Sequence, residues 1–291
     1  MSQFDAETRL QTSADGSSGG QVSSSWNIGT NPNGGYLLAL AVAALRKQMP
    51  RHPDPVSVTV HYLRPGLGDQ PCQVNCQLLR SGATLSTGRA SLIQQDKLCL
   101  EVLAAFADLA SNTNSVAAPV SGSTLDSGSG STSAPNQLAA PPEPSLRPPE
   151  IPPPEQCILR SGEEQGVELP IMNRLDIRLH PDEFKAGAAG KPQVTGWMRL
   201  LDGRPPDSLA LLLFADAFPP SIFGLLGSVG WVPTIELTVH VRRRPAPGWI
   251  LGQFRTLDLT DGRMIEDGAL WDSTGQLVAQ SRQLAMLRRK K

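Results

Sequence analysis

The sequence predicts an α+β fold in which one architecture is used twice. The string SVTVHYLRP at 57–65 returns as ELTVHVRRRP at 236–245, which indicates an internal repeat. Each copy follows an apolar helical segment and precedes strand-like runs, and a Ser/Pro/Gly-rich segment separates the two halves. A long antiparallel sheet has to curl, and a buried helix gives it a core to curl around.

In the first half, residues 31–50 (NPNGGYLLALAVAALRKQMP) predict a helix that Asn33 caps and Pro50 stops. Arg46 and Lys47 fall in its last turn, where the helix dipole favours cations. The helix is apolar almost all round, which is typical of a helix surrounded by protein. Turn signals then separate four predicted strands, at 56–63, 73–82, 84–95 and 97–109.

The second half repeats this plan. Residues 205–220 predict a helix that Asp207 or Ser208 caps and Pro219 stops. Strands are predicted at 171–179, 192–201, 232–243, 248–259, 262–273 and 276–289. A buried helix with an antiparallel meander is the hotdog arrangement, and two of them in one chain make a double hotdog.

We therefore expect an N-terminal hotdog repeat at 1–109 and a C-terminal hotdog repeat at 157–291. Between them, residues 110–156 are mostly Ser, Pro, Gly, Ala and Asn, with few large apolar side chains. Such a segment buries too little surface to offset its ordering entropy, which predicts a disordered linker. Residues 1–24 are also polar, and we expect their start to be loosely held.

Composition narrows the classes of partner and compartment. The chain has 291 residues, 40% of them hydrophobic, and a formal net charge of −1, which indicates neither nucleic acid nor an anionic membrane as partner. No stretch approaches the ~20 apolar residues of a membrane span. The cysteines favour free thiols in a reducing cytosol over a zinc site, so we predict a cytoplasmic protein without metal or other cofactor. They are Cys72, Cys76, Cys99 and Cys157.

Placing the repeats in register on His61 and His240 shows where the halves differ. Gln283 then falls opposite Ala104, and Thr234 also has an apolar counterpart in the first half. Polar groups that occur in only one copy of a duplicated fold are expected if one site per chain survives.

Asp216 is the third such group, because the first helix carries no acid. It lies between Phe214 and Phe218 near the end of the second helix. Burial and the negative end of the helix dipole would both raise its pKa, which suits a general base.

The start of the first helix offers a complementary group. Asn33, Gly34 and Gly35 open the helix, where backbone N–H groups lack internal partners and the dipole is positive. Two glycines would let a ligand carbonyl approach these donors, as an oxyanion hole requires.

These stretches resemble the acyl-CoA thioesterase II family of the thioesterase-like double-hotdog superfamily: NGGYLLAL, VHYLRPG, LLRSGATLSTGRA, LLLFADAF, PTIELTVHVRRRP and LVAQSRQLAMLR. The resemblance covers both halves and omits the linker and the extreme N-terminus. It implies a double hotdog that hydrolyses acyl-CoA to fatty acid and CoA, and hence a role in lipid metabolism. It also implies that Asp216, Thr234 and Gln283 orient a water. Family members commonly have Ser directly before the Asp and an Asp two residues after the Thr, and these positions are here Ala215 and Glu236.

Other functions stay open. The same fold could bind acyl-CoA or acyl-carrier protein without hydrolysis. The phosphates of CoA could dock on Arg242, Arg243 and Arg244, whether the protein hydrolyses acyl-CoA or only binds it. Alternatively, the three arginines form a solvated strand end. Asp176 and His180 share a strand face, and an enoyl hydratase uses an Asp and a His close together. GSSGG at 16–20 matches the serine hydrolase pattern without its strand and helix. A homo-oligomer is compatible with the sequence, which does not define the acyl chain length.

Overall fold

One antiparallel sheet of thirteen strands runs through both halves of the part of the chain that the computed structural model describes, residues 1–12, 17–110 and 145–287. The helices are α1 Gln3–Glu7, α2 Gly34–Arg46, α3 Gly162–Gln165, α4 Ala210–Phe214 and α5 Phe223–Leu226. The strands are β1 Gln11–Thr12, β2 Ser18–Val22, β3 Asn27–Ile28, β4 Asn31–Pro32, β5 Asp54–Tyr62, β6 Gln70–Ser81, β7 Ser86–Gln94, β8 Lys97–Ala107, β9 Ile158–Leu159, β10 Leu175–Leu179, β11 Gln193–Leu200, β12 Thr234–Val241, β13 Ile250–Thr260, β14 Arg263–Trp271 and β15 Leu277–Met286.

The order of strands in this sheet is β1-β2-β6-β7-β8-β5-β12-β15-β14-β13-β11-β10-β9, and the short β3 and β4 form a separate pair. The halves meet at β5 and β12, the two strands that carry the repeated string, which pair antiparallel. Thr59 lies opposite Thr238, and their hydroxyl oxygens are 2.9 Å apart. Because these residues are also equivalent in the repeat, a pseudo-twofold axis passes between them.

The strand register agrees with the residue equivalence predicted from the sequence. Ala104 pairs with Val58 in the first half, and Gln283 pairs with Leu237 in the second. Since Val58 and Leu237 are related by the pseudo-twofold, Ala104 and Gln283 occupy equivalent places in the two halves of the sheet.

The two central helices differ in length. Helix α2 has thirteen residues, and the Asn33 side chain caps it by accepting a hydrogen bond from the Tyr36 N–H. Helix α4 spans only five residues, shorter than the predicted 205–220, because prolines flank it at Pro205–Pro206 and Pro219–Pro220. All five of its side chains are buried, and they pack against α2 in the common core.

The N-terminus is held more firmly than its polar composition predicts. Phe4 is buried against Trp26, with ring centroids 5.8 Å apart. Glu7 accepts a hydrogen bond of 2.8 Å from Trp26 Nε1 and forms an ion pair with Arg174 at 2.8 Å. These contacts attach α1 to both halves of the chain.

The predicted linker, 110–156, lies partly outside the described residues, since 111–144 are not described. Its last part, 145–156, packs against the C-terminal half of the thirteen-stranded sheet. The carbonyl oxygens of Leu146 and Pro152 accept hydrogen bonds from Trp271 Nε1 at 3.0 Å and Trp197 Nε1 at 2.9 Å. The proline-rich end therefore contributes contacts to the C-terminal repeat.

Candidate active site

A cavity of about 1090 Å³ lies between the start of α2, the chain that follows α4, and the beginning of β12. It is lined by Asn33, Gly34, Asp216, Thr234 and Gln283. Five of the residues predicted from the sequence therefore surround one cavity. Much of the remaining lining is apolar and includes Leu37, Phe218, Phe223, Trp231, Val232, Ile235, Phe254 and Met286.

Asp216 is held by the start of the first helix. The Gly35 N–H donates to Asp216 Oδ2 at 2.9 Å. Asn33 Nδ2 donates to the same oxygen at 3.2 Å and to the Asp216 carbonyl at 2.7 Å. A Cβ on Gly35 would lie 2.7 Å from the Leu213 carbonyl oxygen, so only glycine permits this close approach. The Gly35 N–H, which the sequence predicts as a donor to the ligand, therefore already donates to a carboxylate of the second repeat.

The environment of Asp216 raises the pKa of its carboxyl to about 6. Burial is the main cause, because it penalises the ionised form. The Gly35 N–H, the charge of Arg160 and the Asn33 amide act in the opposite direction. A carboxylate with a pKa near 6 is ionised at neutral pH and can still accept a proton, as a general base must.

Thr234 and Gln283 come from neighbouring strands and contact each other. Thr234 begins β12 and Gln283 lies on β15, and Gln283 Nε2 donates to Thr234 Oγ1 at 2.7 Å. Both line the cavity with Asp216. A hydroxyl and an amide joined in this way can hold a small polar molecule between them.

The three arginines predicted to dock CoA lie elsewhere. They follow Val241 at the opposite end of β12 from Thr234, roughly 27 Å or more away at the usual strand rise. Arg242 and Arg243 are exposed. Arg244 forms an ion pair at 2.7 Å with the buried Asp54, which also accepts a hydrogen bond from Ser208. None of Arg242, Arg243 and Arg244 lines the cavity.

The hydratase pair is not brought to the cavity either. Asp176 forms ion pairs with Arg178 at 3.0 Å and Arg199 at 3.1 Å. His180 Nδ1 accepts a hydrogen bond from the Asp182 N–H. These contacts give both residues structural partners at β10, near one edge of the sheet.

Comparing the sequences of the two repeats did not identify Glu266, a second buried carboxyl in the cavity. Glu266 lies on β14 directly opposite Gln283 and accepts a hydrogen bond of 2.7 Å from the Ser221 N–H. Burial raises the pKa of Glu266 to about 7, and the negative charge of Asp216 adds to the rise. Its position between the buried Met264 and Gly268 in the alternation of β14 is the sequence signal that marks it as inward-facing.

Arg160 is a second missed residue. It is buried, lines the cavity, and donates from Nη1 to the Ala217 carbonyl at 2.6 Å and from Nη2 to Gln165 Oε1 at 2.9 Å. Burial lowers the pKa of this guanidinium to about 10, which leaves it charged at neutral pH. Its charge partly offsets the two acids, and its bond to Ala217 fixes the chain beside Asp216.

Neither a metal-binding cluster nor a membrane-spanning helix is present in the described ranges. Residues 1–12, 17–110 and 145–287 contain no group of three or more His, Cys, Asp or Glu side chains placed to hold a metal ion. In the same ranges, no helix has the length and apolar character needed to cross a membrane. The four cysteines, all within the described chain, are free thiols.

Comparison with known proteins places this geometry in a family. The sequence model of the acyl-CoA thioesterase N-terminal domain matches residues 22–107, and that of the acyl-CoA thioesterase C-terminal domain matches residues 148–287. An uncharacterized protein of Mycobacterium tuberculosis is 27% identical over 276 residues, which cover 92% of this chain and 90% of that protein.

Solved structures agree. A proposed thioesterase II from Thermobifida fusca YX is 30% identical, with a TM-score of 0.79 over 99% of this chain and 98% of that one. A hotdog-fold protein of unknown function from Alicyclobacillus acidocaldarius, 22% identical, has a TM-score of 0.76 and covers both chains completely. The predicted double hotdog is confirmed, and the chain belongs to the acyl-CoA thioesterase family.

Proposed function

We propose that this protein hydrolyses the thioester of acyl-CoA, with Asp216 as general base for a water held by Thr234 and Gln283. The observation that carries the proposal is a buried carboxylate, held by the Gly35 N–H and the Asn33 amide, in the same cavity as a hydroxyl–amide pair. Family membership supports the reaction class, whereas the residue roles rest on the geometry and on the resemblance described above.

The cavity suits an acyl thioester. Its apolar walls can bury an alkyl chain, and its volume of about 1090 Å³ lies at the upper end of what ligand pockets in proteins reach. Arg64, an exposed cation on its lining, can attract the negatively charged CoA in place of the three distant arginines. The free cysteines fit a reducing, cytoplasmic location.

The reaction balances without a covalent enzyme intermediate. The water oxygen attacks the thioester carbon while Asp216 takes one water proton. The carbon–sulfur bond then breaks, and the leaving thiolate receives that proton, which restores the Asp216 carboxylate. The products are a carboxylic acid and free CoA.

The decisive variant is Asp216→Asn, which keeps the shape of the side chain and removes the base. We expect kcat for acyl-CoA to fall ~10²–10⁴-fold with a much smaller change in binding, since loss of a general base has this cost. The matched control is Asp272→Asn, another buried acid, which does not line the cavity and should leave kcat unchanged.

The measurement is steady-state hydrolysis over acyl-CoAs of graded chain length. Equal, slow rates for wild type and Asp216→Asn on every substrate would refute the proposal and favour a protein that binds acyl-CoA without hydrolysis. A trapped acyl adduct on Asp216 would instead exclude direct attack by water.

A further inference from the structure

Tyr62, the last residue of β5, has a buried hydroxyl with no hydrogen-bond partner within the described chain. Its ring is only partly buried and borders the cavity. Because an unpaired buried hydroxyl is unfavourable and uncommon, one at the wall of a cavity points to a ligand that supplies the missing partner.

The other tyrosine of the chain shows the contrast. The sequence contains two tyrosines, and Tyr36 is also buried. Its hydroxyl donates to the Glu7 carbonyl at 2.8 Å and accepts from the Ser23 N–H at 3.1 Å. Tyr36 therefore has the partners of a structural tyrosine, and Tyr62 does not.

The hydroxyl of Tyr62 lies next to the general base. The point where a Cβ on Gly34 would stand is 3.1 Å from Tyr62 Oη and 2.8 Å from Asp216 Oδ2. Both oxygens thus border one small volume, which the absence of a side chain at Gly34 keeps open. Burial and the charge of Asp216 raise the pKa of Tyr62 well above its usual value, so the hydroxyl stays protonated and can donate.

Thioester hydrolysis needs a donor for the carbonyl oxygen, because negative charge develops there as water attacks. The start of α2 is less available for this task than its sequence indicates. The Gly35 N–H already donates to Asp216 Oδ2, and the Asn33 amide donates to Asp216 as well. The Tyr62 hydroxyl faces the same volume and has no other partner, so it can supply this hydrogen bond to the carbonyl oxygen.

We propose that Tyr62 is a further catalytic residue whose hydroxyl donates a hydrogen bond to the carbonyl oxygen of the thioester and to the oxyanion that forms from it. The inference rests on the proposed function. As the bond from water oxygen to carbon forms, the carbonyl π pair moves onto the oxygen that Tyr62 contacts. The pair returns when the carbon–sulfur bond breaks, and Tyr62 keeps its proton throughout.

The kinetic test compares Tyr62→Phe with the matched variant Tyr36→Phe. Tyr62→Phe should lower kcat ~10²–10³-fold with little change in KM, as loss of one oxyanion donor does. Its melting temperature should stay equal or rise, because no partnered group is lost. Tyr36→Phe removes a partnered hydroxyl, so it should lower the melting temperature and leave kcat unchanged. An unchanged kcat in Tyr62→Phe would overturn the inference.

A binding test separates this inference from the proposed function. One probe is a ketone analogue of acyl-CoA, in which CH₂ replaces sulfur and the carbonyl remains. The other is an S-alkyl-CoA thioether, which lacks the carbonyl. Tyr62→Phe should weaken the ketone about tenfold, the loss of one hydrogen bond, and leave the thioether unchanged.

If Tyr62→Phe affects both probes equally, or neither, the hydroxyl does not contact the carbonyl oxygen, and the inference is wrong even where kcat falls. In that case Tyr62 acts through Asp216 as a positioning residue. Should wild type hydrolyse no acyl-CoA, the proposed function fails and Tyr62 has no catalytic role, and the difference between the two probes then decides only whether its hydroxyl binds the carbonyl oxygen.

Discussion

The two hotdog repeats share a strand register, but the helix that the sheet encloses is longer in the first repeat than in the second. In the first repeat, α2 runs for thirteen residues, and Leu45 in its last turn and Met49 just beyond it cover Gly88 on β7. A Cβ on Gly88 would lie 2.5 Å from Met49 Cε, 2.9 Å from the Gln77 carbonyl oxygen and 3.0 Å from Leu45 Cδ1, so no space is left here for a further side chain. This repeat is a closed core.

In the second repeat the equivalent position is Glu266. Gly88 pairs with Ala104 as Glu266 pairs with Gln283, and those partners are equivalent. Helix α4 ends at Phe214, and the chain that follows it brings the Ser221 N–H to Glu266. The comparison teaches that shortening the central helix converts a packed core into a cavity with polar groups on its floor.

The largest effect is expected when the second repeat is made to resemble the first at Gln283. Gln283→Ala reproduces Ala104 and removes one of the two groups proposed to hold the water. We expect kcat to fall ~10²-fold or more, because a hydrogen-bonding group in the site is lost. The loss should not add fully to that of Asp216→Asn, since both residues serve one water.

The converse variant, Ala104→Gln, checks that the difference lies in the surroundings. Ala104 is buried, so the new amide would have no partner and should lower the free energy of unfolding by ~1–3 kcal/mol or more. Denaturation and kinetics of both variants test the comparison. Normal turnover by Gln283→Ala would contradict it.

The next effect concerns pH and Glu266. The pKa of Glu266 is about 7 in the fold against an ordinary 4.5, so the folded state binds the proton more tightly than the unfolded state. The contribution of this group to stability is complete below pH 4.5 and is lost as pH rises through 7. Glu266→Gln should therefore be more stable than wild type at pH 8, by at most ~3 kcal/mol, with the difference vanishing near pH 4.

Urea unfolding at a series of pH values measures this difference. The exposed Glu163→Gln is the matched control and should follow wild type at every pH. Some slope should persist in Glu266→Gln, because the pKa of Asp216 is raised as well. If the free energy of unfolding of Glu266→Gln depends on pH in the same way as that of wild type, the raised pKa proposed for Glu266 is wrong.

The smallest effect concerns the segment that joins the repeats. Deleting 115–144 and closing the gap with a short flexible segment should leave stability and activity nearly unchanged, since loop closure depends weakly on length. Deleting 115–150 also removes the Leu146 carbonyl that accepts from Trp271, at a cost of about 1 kcal/mol. Thermal unfolding of the two deletions compares them directly, and equal melting temperatures would argue against a structural role for Leu146.

The sequence predicted most of the long strands well because turn residues and alternation are local signals, whereas the prediction 171–179 begins too early, since Pro170–Asn173 form a 3-10 helix. The prediction 73–82 corresponds to Gln70–Ser81, and 262–273 corresponds to Arg263–Trp271. It predicted the second helix poorly, since apolar residues continue past Phe214 although prolines and tertiary contacts end the helix there. Helix length, the feature that distinguishes the repeats, is therefore what local patterns specify least.

The site was predictable where comparison of the repeats in a fixed register was sufficient. Gln283 aligns with Ala104 without a gap, so the contrast is visible. Along the sequence, Glu266 lies 17 residues before Gln283, whereas Gly88 lies 16 residues before Ala104. An ungapped comparison therefore aligns Glu266 with Thr87, and the contrast with Gly88 is not visible because both aligned residues are polar. The missing partner of the Tyr62 hydroxyl depends on three-dimensional packing, which no spacing in the sequence reveals.

The pair of threonines at the junction of β5 and β12 imposes a direction on hydrogen bonding. On a twofold axis each residue meets its own counterpart, which suits a hydroxyl because it can donate and accept. Thr238 Oγ1 donates its one proton to Glu236 Oε1 at 2.5 Å. Thr59 must then be the donor in the 2.9 Å contact with Thr238. The protons of this short chain of hydroxyls all point from the first repeat toward the second, so the orientation of hydrogens breaks the symmetry that the backbone preserves.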